Sequence, residues 1–318
     1  MGKFYPFVLA FFCVCTAFPG RAQSIHFDRL DINDGLSQNT VTSIIQDDKG
    51  FMWFGTKDGL CRYDGKSFKT FMHDPRLKTG LGNSLIKSLV QDRDHKIWVG
   101  TDSGLYIYDP EVESFTAVPL YAEDGKPITK PIPILDCDRD GRVWIVVGNN
   151  DVFCYDPQTR RIECRYKPRT TLRSLTTDKN GVIWFSGYGG GLYYTEDRFG
   201  HVKPFLDADG QEIYPKDIIS YICLSDYNKT YRGLEEHGVV AVDLVTKKVT
   251  RLQLADNPEA PLFVRHVLQY SADELWIGTE SGIVVYNIRT RRYLHLQSSP
   301  YDPYSLSANA VSSLCKAR

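Results

Sequence analysis

Short runs of alternating or wholly apolar residues recur along this chain, each closed by a polar turn. Val41-Thr42-Ser43-Ile44-Ile45, Leu85-Ile86-Lys87-Ser88-Leu89-Val90 and Ile219-Ser220-Tyr221-Ile222-Cys223-Leu224 are of this kind, and their length and period of two predict strands. After such a run comes an Asp-x-x-Gly type of turn and a second strand carrying tryptophan, as in Asp47 to Thr56, Asp92 to Thr101, Asp138 to Trp144 and Asp178 to Trp184. A glycine-containing turn then leads to a third strand, Gly59 to Asp64, Gly104 to Asp109 or Gly282 to Asn287, and a fourth holds Phe68, Phe115 or Tyr293.

The tryptophans measure the repeat. Trp53, Trp98, Trp144, Trp184 and Trp276 are separated by 45, 46, 40 and 92 residues, and Tyr231 falls in the middle of the double gap. A period of about 40 to 47 residues marks a solenoid, a propeller or an array. The turn density and β-branched content exclude helical repeats, and a four-stranded sheet cannot bury both faces alone. The predicted fold is therefore all-β, a β-propeller of four-stranded blades with the indole filling the seam between neighbouring sheets. The glycine two residues after most of the tryptophans removes a side chain where the next blade approaches. Six complete units run from Val41 to about Leu296, and Leu306-Ser307-Ala308-Asn309-Ala310-Val311 repeats the lead-in Leu36-Ser37-Gln38-Asn39-Thr40-Val41. The segment from His26 to Ile32 reads as an outer strand without its own first three strands. The expectation is a seven-bladed type with the last blade incomplete, residues 23–318 holding six blades, an N-terminal closing strand and the first strand of a truncated seventh.

Residues 1–22 stand apart from the repeat. Lys3, the apolar stretch from Phe4 to Phe18 and the small-residue site Gly20-Arg21-Ala22 read as a secretory signal peptide, implying an exported, periplasmic chain with no direct membrane insertion after cleavage. Of eight cysteines, six lie beyond this segment and none has metal-site spacing. Cys154 and Cys164 flank a turn and are candidates for a disulfide in an oxidising compartment, the alternative being six ordinary side chains. The chain is 42% hydrophobic and 24% charged with a net charge of -1, a folded globular composition without the field that gathers nucleic acid.

With the repeat laid out, Asp34-Gly35-Leu36-Ser37-Gln38-Asn39-Thr40-Val41, Gly50 to Thr56, Lys57-Asp58-Gly59-Leu60 and Tyr63-Asp64 resemble the regulator propeller repeats of the periplasmic sensor region of hybrid two-component histidine kinases. Five repeats match well, the one around Tyr231 is degenerate, and Gly148-Asn149-Asn150 departs from the pattern. The resemblance implies ligand sensing, usually of oligosaccharides. It also implies, in full-length relatives, a second propeller and kinase parts that are not encoded in these residues. A homodimer is left open.

Chemistry-bearing motifs are few: no Gly-x-Ser-x-Gly, His-Glu-x-x-His or P-loop is present, no cofactor is implied, and no catalytic or metal residue is assigned. Acidic turns such as Asp136 to Gly141 imitate a calcium loop but are explained by the hairpin. Glu235-Glu236 imitates a glycosidase pair, yet neighbours on a strand face opposite ways. Topology places the lead-in to each first strand and the turn between the second and third strands at one rim. That rim supplies the candidate ligand-binding residues Tyr188, Tyr221, His237, Arg173, Arg265, His266, Lys57 and Asn149, a mixture suited to a sugar. The rival readings are a propeller enzyme, a lyase or glycoside hydrolase, and an inert protein-binding scaffold.

Overall fold

The computed structural model describes residues 25–317 apart from 149, 169–170, 190, 215, 226–228, 236 and 257–261. The signal-peptide expectation at 1–22 and the candidate Asn149 lie outside these residues. The described residues form six antiparallel four-stranded sheets, each with its strands in sequence order. We call these blades 1 to 6 and label strands a to d from first to last. The a strands are Val41–Gln46, Ile86–Gln91, Ile134–Cys137, Leu172–Thr177, Ile219–Leu224 and Val264–Ser271. The b strands are Met52–Thr56, Ile97–Thr101, Val143–Val147, Ile183–Gly187, Lys229–Leu234 and Glu274–Thr279.

Each repeat tryptophan sits in a b strand with its indole anchored. In blades 1 to 4 the indole Nε1 donates to the aspartate six residues earlier, Trp53 to Asp47 at 2.8 Å, Trp98 to Asp92 at 2.6 Å, Trp144 to Asp138 and Trp184 to Asp178 at 3.1 Å. The other oxygen of the same carboxylate accepts two backbone N–H groups of the turn, those of Lys49 and Phe51 in blade 1. One aspartate thus holds both the hairpin and the ring. Blade 6 has Ser271 at the start of its turn, and Trp276 donates to Glu274 instead, at 2.7 Å. Tyr231 takes the indole's place in blade 5, buried in a seam with Val264, Val267 and Leu275 of blade 6.

Five apolar clusters fill the five seams between consecutive blades. Backbones approach closely there. A methyl on Gly100 would lie 2.6 Å from the Ile132 carbonyl oxygen, and one on Gly55 would lie 2.6 Å from the Ile86 side chain. Hydroxyls latch neighbouring a strands, Thr42 to the Ile86 carbonyl at 2.9 Å, Ser88 to Ile132 at 2.7 Å and Ser220 to Val264 at 2.6 Å.

The seven-bladed expectation is corrected in its count: six blades form, and neither the closing strand nor the truncated seventh strand belongs to a sheet. Residues 25–31 and 310–317 have no strand assignment. A strand is defined by its ladder, and neither segment has a b or c strand beside it. Residues 311–314 nonetheless occupy the position of a seventh a strand. The Val311 amide donates to the Thr279 carbonyl at 2.9 Å, as Ile132 does to Thr101, and Val311 covers Gly278 as Ile86 covers Gly55. The N-terminal segment meets the turn before this stretch, the Phe27 amide donating to the Tyr304 carbonyl at 2.9 Å.

The six cysteines among the described residues are free thiols, Cys154 buried and Cys164 exposed. Cys154 is paired across the ladder with Glu163, and Cys164 with Phe153. The two sulfurs are therefore one register step apart and leave the sheet on opposite faces, which prevents a bridge.

Candidate functional site

The site grows out of a defect shared by the a strands. In five blades the ladder to strand b slips by one residue at the second position of strand a, at Thr42, Lys87, Arg173, Ser220 and Arg265. Such a bulge turns a side chain out of the alternation and re-aims it. Together with Pro133 and Ser312, these five residues line a cavity of about 530 Å³ at one end of the central channel, joined by Lys57 and Glu280. The cations occupy alternate blades, 2, 4 and 6, so they converge from around the ring.

Each of the three has a carboxylate companion. Lys87 Nζ lies 3.2 Å from Asp102, Arg173 lies 3.6 Å from Glu235, and Arg265 is in direct contact with Glu280. Both members of every pair are partly solvated, so these contacts orient the cations more than they stabilise the fold. Glu280 lines the cavity with Lys57, Lys87, Arg173 and Arg265, while Asp102 and Glu235 pair with Lys87 and Arg173 beside it. Lys57 has no ion-pair partner among the described residues.

Below the mouth the channel continues as a cavity of about 550 Å³ lined by all six a strands and residues 312–316. Tyr221 and His266 meet here with ring centroids 4.1 Å apart. His266 Nδ1 accepts the Leu314 amide at 3.1 Å, as Ser174 Oγ accepts the Ile222 amide at 3.1 Å two blades earlier. Burial pushes the imidazole down to about 4, so it is neutral and acts as a latch for the C-terminal segment. Burial also raises the Tyr221 phenol. Asp136 accepts both the amide and the hydroxyl of Thr177, at 2.7 and 2.8 Å, yet burial pushes its carboxyl up to about 7.

The guanidinium of Arg173 lies over the Tyr188 ring, 5.4 Å from its centroid. Tyr188 is 44% exposed, and it lines a neighbouring cleft of about 430 Å³ with Tyr166, Pro168, Phe185 and Tyr193. The mouth is thereby continuous with an aromatic wall. Of the residues singled out from sequence, Lys57, Arg173 and Arg265 come together at the mouth, Tyr188 borders it, and Tyr221 and His266 lie deeper. His237 does not join them: its Nδ1 pairs with the buried Asp217 at 2.6 Å and its ring packs on Tyr214. Lys87 was missed, although Ile86-Lys87-Ser88 aligns with Leu172-Arg173-Ser174 and Val264-Arg265-His266. Asp136 was read only as part of an acidic turn.

Residues 35–58 and 80–103 match the family described as two-component regulator propeller. The chain carries repeats of this type, and the resemblance read from the sequence holds. A 46-residue stretch is 48% identical to histidine kinase P4 of Formosa agariphila, covering 14% of this chain and 3% of that protein. The fold is similar to the extracellular domain of the proposed hybrid two-component system BT3049 from B. thetaiotaomicron. That match has a TM-score of 0.76 and 22% identity, over 91% of this chain and 39% of the other. PorZ, a surface component of the type-IX secretion system of Porphyromonas gingivalis, matches with a TM-score of 0.68 and 17% identity, over 89% of this chain and 44% of its own. The chain thus spans about two-fifths of the length of these solved relatives.

Proposed function

We propose that this chain is the ligand-recognising propeller of an exported, periplasmic sensor in two-component signalling. In this reading it binds an oligosaccharide at the channel mouth and releases it unchanged. The observation that carries the reading is the junction at Arg173 and Tyr188, where a rim of hydrogen-bonding cations meets a wall of tyrosines. Sugars present hydroxyls around their edge and apolar C–H faces, and such a junction satisfies both. Binding would act by favouring one placement of the propeller against a second propeller and kinase parts of a longer protein. Among the described residues no helix is long and apolar enough to cross a membrane. We further propose that the gap between blades 6 and 1 takes the rest of a seventh blade, for which residues 311–314 already hold the innermost position.

Titration calorimetry and thermal shift against a glycan panel test the reading, with chromatography of each glycan after incubation. A saturable heat and a raised midpoint with the glycan recovered intact are expected. Cleavage of the glycan would establish an enzyme instead, and a flat response to every member would leave a scaffold.

A further inference from the structure

The bulge cations carry the assignment one step further, and the step rests on the oligosaccharide reading above. Three of the six second positions of strand a are cationic, Lys87, Arg173 and Arg265, and they fall on every other blade. On the intervening blades Thr42 and Ser220 hold the second position, Pro133 stands just before strand a of blade 3, and Ser312 stands beside the gap. Lys57, from the turn after strand b of blade 1, adds a fourth cation. With Asp102, Glu235 and Glu280 as companions, four cations face three carboxylates, and the excess of one positive charge rests on Lys57 in a chain whose net charge is -1.

A neutral sugar needs donors and acceptors in balance, whereas guanidinium and ammonium groups only donate. Their companions Asp102, Glu235 and Glu280 sit in turns at the rim and hold the cations over the opening. These partly solvated pairs are weak enough to exchange for an incoming anion. Arg173 also lies over Tyr188, so an anionic group held at the mouth leaves the next sugar ring within reach of the tyrosine-lined cleft.

We infer that the mouth recognises an acidic oligosaccharide, one whose sugars carry carboxylate or sulfate groups, with Lys87, Arg173 and Arg265 converging on an anionic substituent and Tyr188 supporting the adjoining ring. Arg can contact carboxylate or sulfate through two parallel hydrogen bonds, which gives geometric selectivity as well as charge.

The test compares three probes on the full chain by calorimetry: a hexameric oligouronate, a sulfated glucan hexamer and the same glucan unmodified. At least one acidic probe should bind about tenfold or more tightly than the neutral one, weakening as salt is raised, and which of the two it is identifies the group. The variants K87Q and R265Q should each lower that affinity about ten- to a hundredfold, the range of a charge-assisted hydrogen bond, while Arg173→Lys retains part of it. K66Q, in the exposed turn between strands c and d of blade 1 at the opposite end of the sheet, should change nothing. Equal binding of neutral and acidic hexamers, or acidic binding untouched by K87Q and R265Q, would overturn the inference and leave oligosaccharide sensing standing. Failure of all three probes would overturn the inference, and the glycan panel would then decide the oligosaccharide reading by itself.

Discussion

One residue breaks the logic of the seams. Arg232 stands in strand b of blade 5 at the register position that holds Phe54, Val99, Ile145, Phe185 and Ile277 in the other blades. Its side chain is fully buried, and none of its three guanidinium nitrogens has a hydrogen-bond partner among the described residues. Burial alone pushes the group down to about 9. An uncompensated buried cation is costly, and since replacing even a paired buried charge with apolar side chains of similar volume can stabilise a fold by about 1 to 4 kcal/mol, removing an unpaired one should gain stability of at least that order. Arg232→Leu should therefore raise stability by an amount of that order, read as a shift of the urea midpoint. The blade 5 repeat has lost its tryptophan as well, and the two departures together explain why it is the hardest to recognise in the sequence. By contrast, the turn aspartates were legible as hairpin residues, but their second task of anchoring the indole was not. Hydrogen bonding to a ring six residues away depends on the path of the folded hairpin.

At the scale of the element, the alternation of the a strands and the b-strand motif were enough to place all six sheets and their strand order. The bulges were not legible. A register slip leaves no mark on period-two patterning, because it is a property of two strands and appears only when both are paired. It is the slip that moves Lys87, Arg173 and Arg265 from the strand face into the mouth. The glycines two residues after Trp53, Trp98 and Trp276 were legible as points of close approach, and of these Gly100 is the tightest against backbone, meeting Ile132 at the entry to the next blade. Gly100→Ala should destabilise the protein by about 1 to 3 kcal/mol, the usual cost of forcing extra volume into a packed seam. Thermal unfolding measures this, and an unchanged midpoint would show that blades 2 and 3 can separate at little expense. The closing strand expected at His26 to Ile32 fails for the complementary reason: a strand sequence without a neighbouring ladder stays coil.

Across the whole molecule, the channel sets two titrating groups from distant blades against one another. Asp136 of blade 3 has its carboxyl raised from 3.8 to about 7, so the folded chain keeps a proton that the unfolded chain releases. Its contribution is full below about 4 and is lost as the pH rises toward 7. His266 of blade 6 is lowered from 6.5 to about 4, so the unfolded chain takes up a proton that the folded chain refuses. Its contribution is full above 6.5 and is lost as the pH falls toward 4. The two slopes oppose each other over nearly the same interval. Asp136→Asn should leave a thermal midpoint that climbs between pH 4 and 6.5, whereas His266→Gln should leave one that declines from pH 4 to 7. Identical profiles for the two variants would contradict this assignment.

Composition, the spacing of the indoles and period-two alternation by themselves determined a ring of four-stranded sheets, because each is a local signal that survives without knowledge of the neighbours. The tertiary structure alone decided which rim residues share a cavity, that His237 turns away to Asp217, that the two cysteines face apart, and that residues 25–31 and 310–317 join no sheet. These outcomes depend on register and on what packs across a seam, and both are relations between segments far apart in the chain.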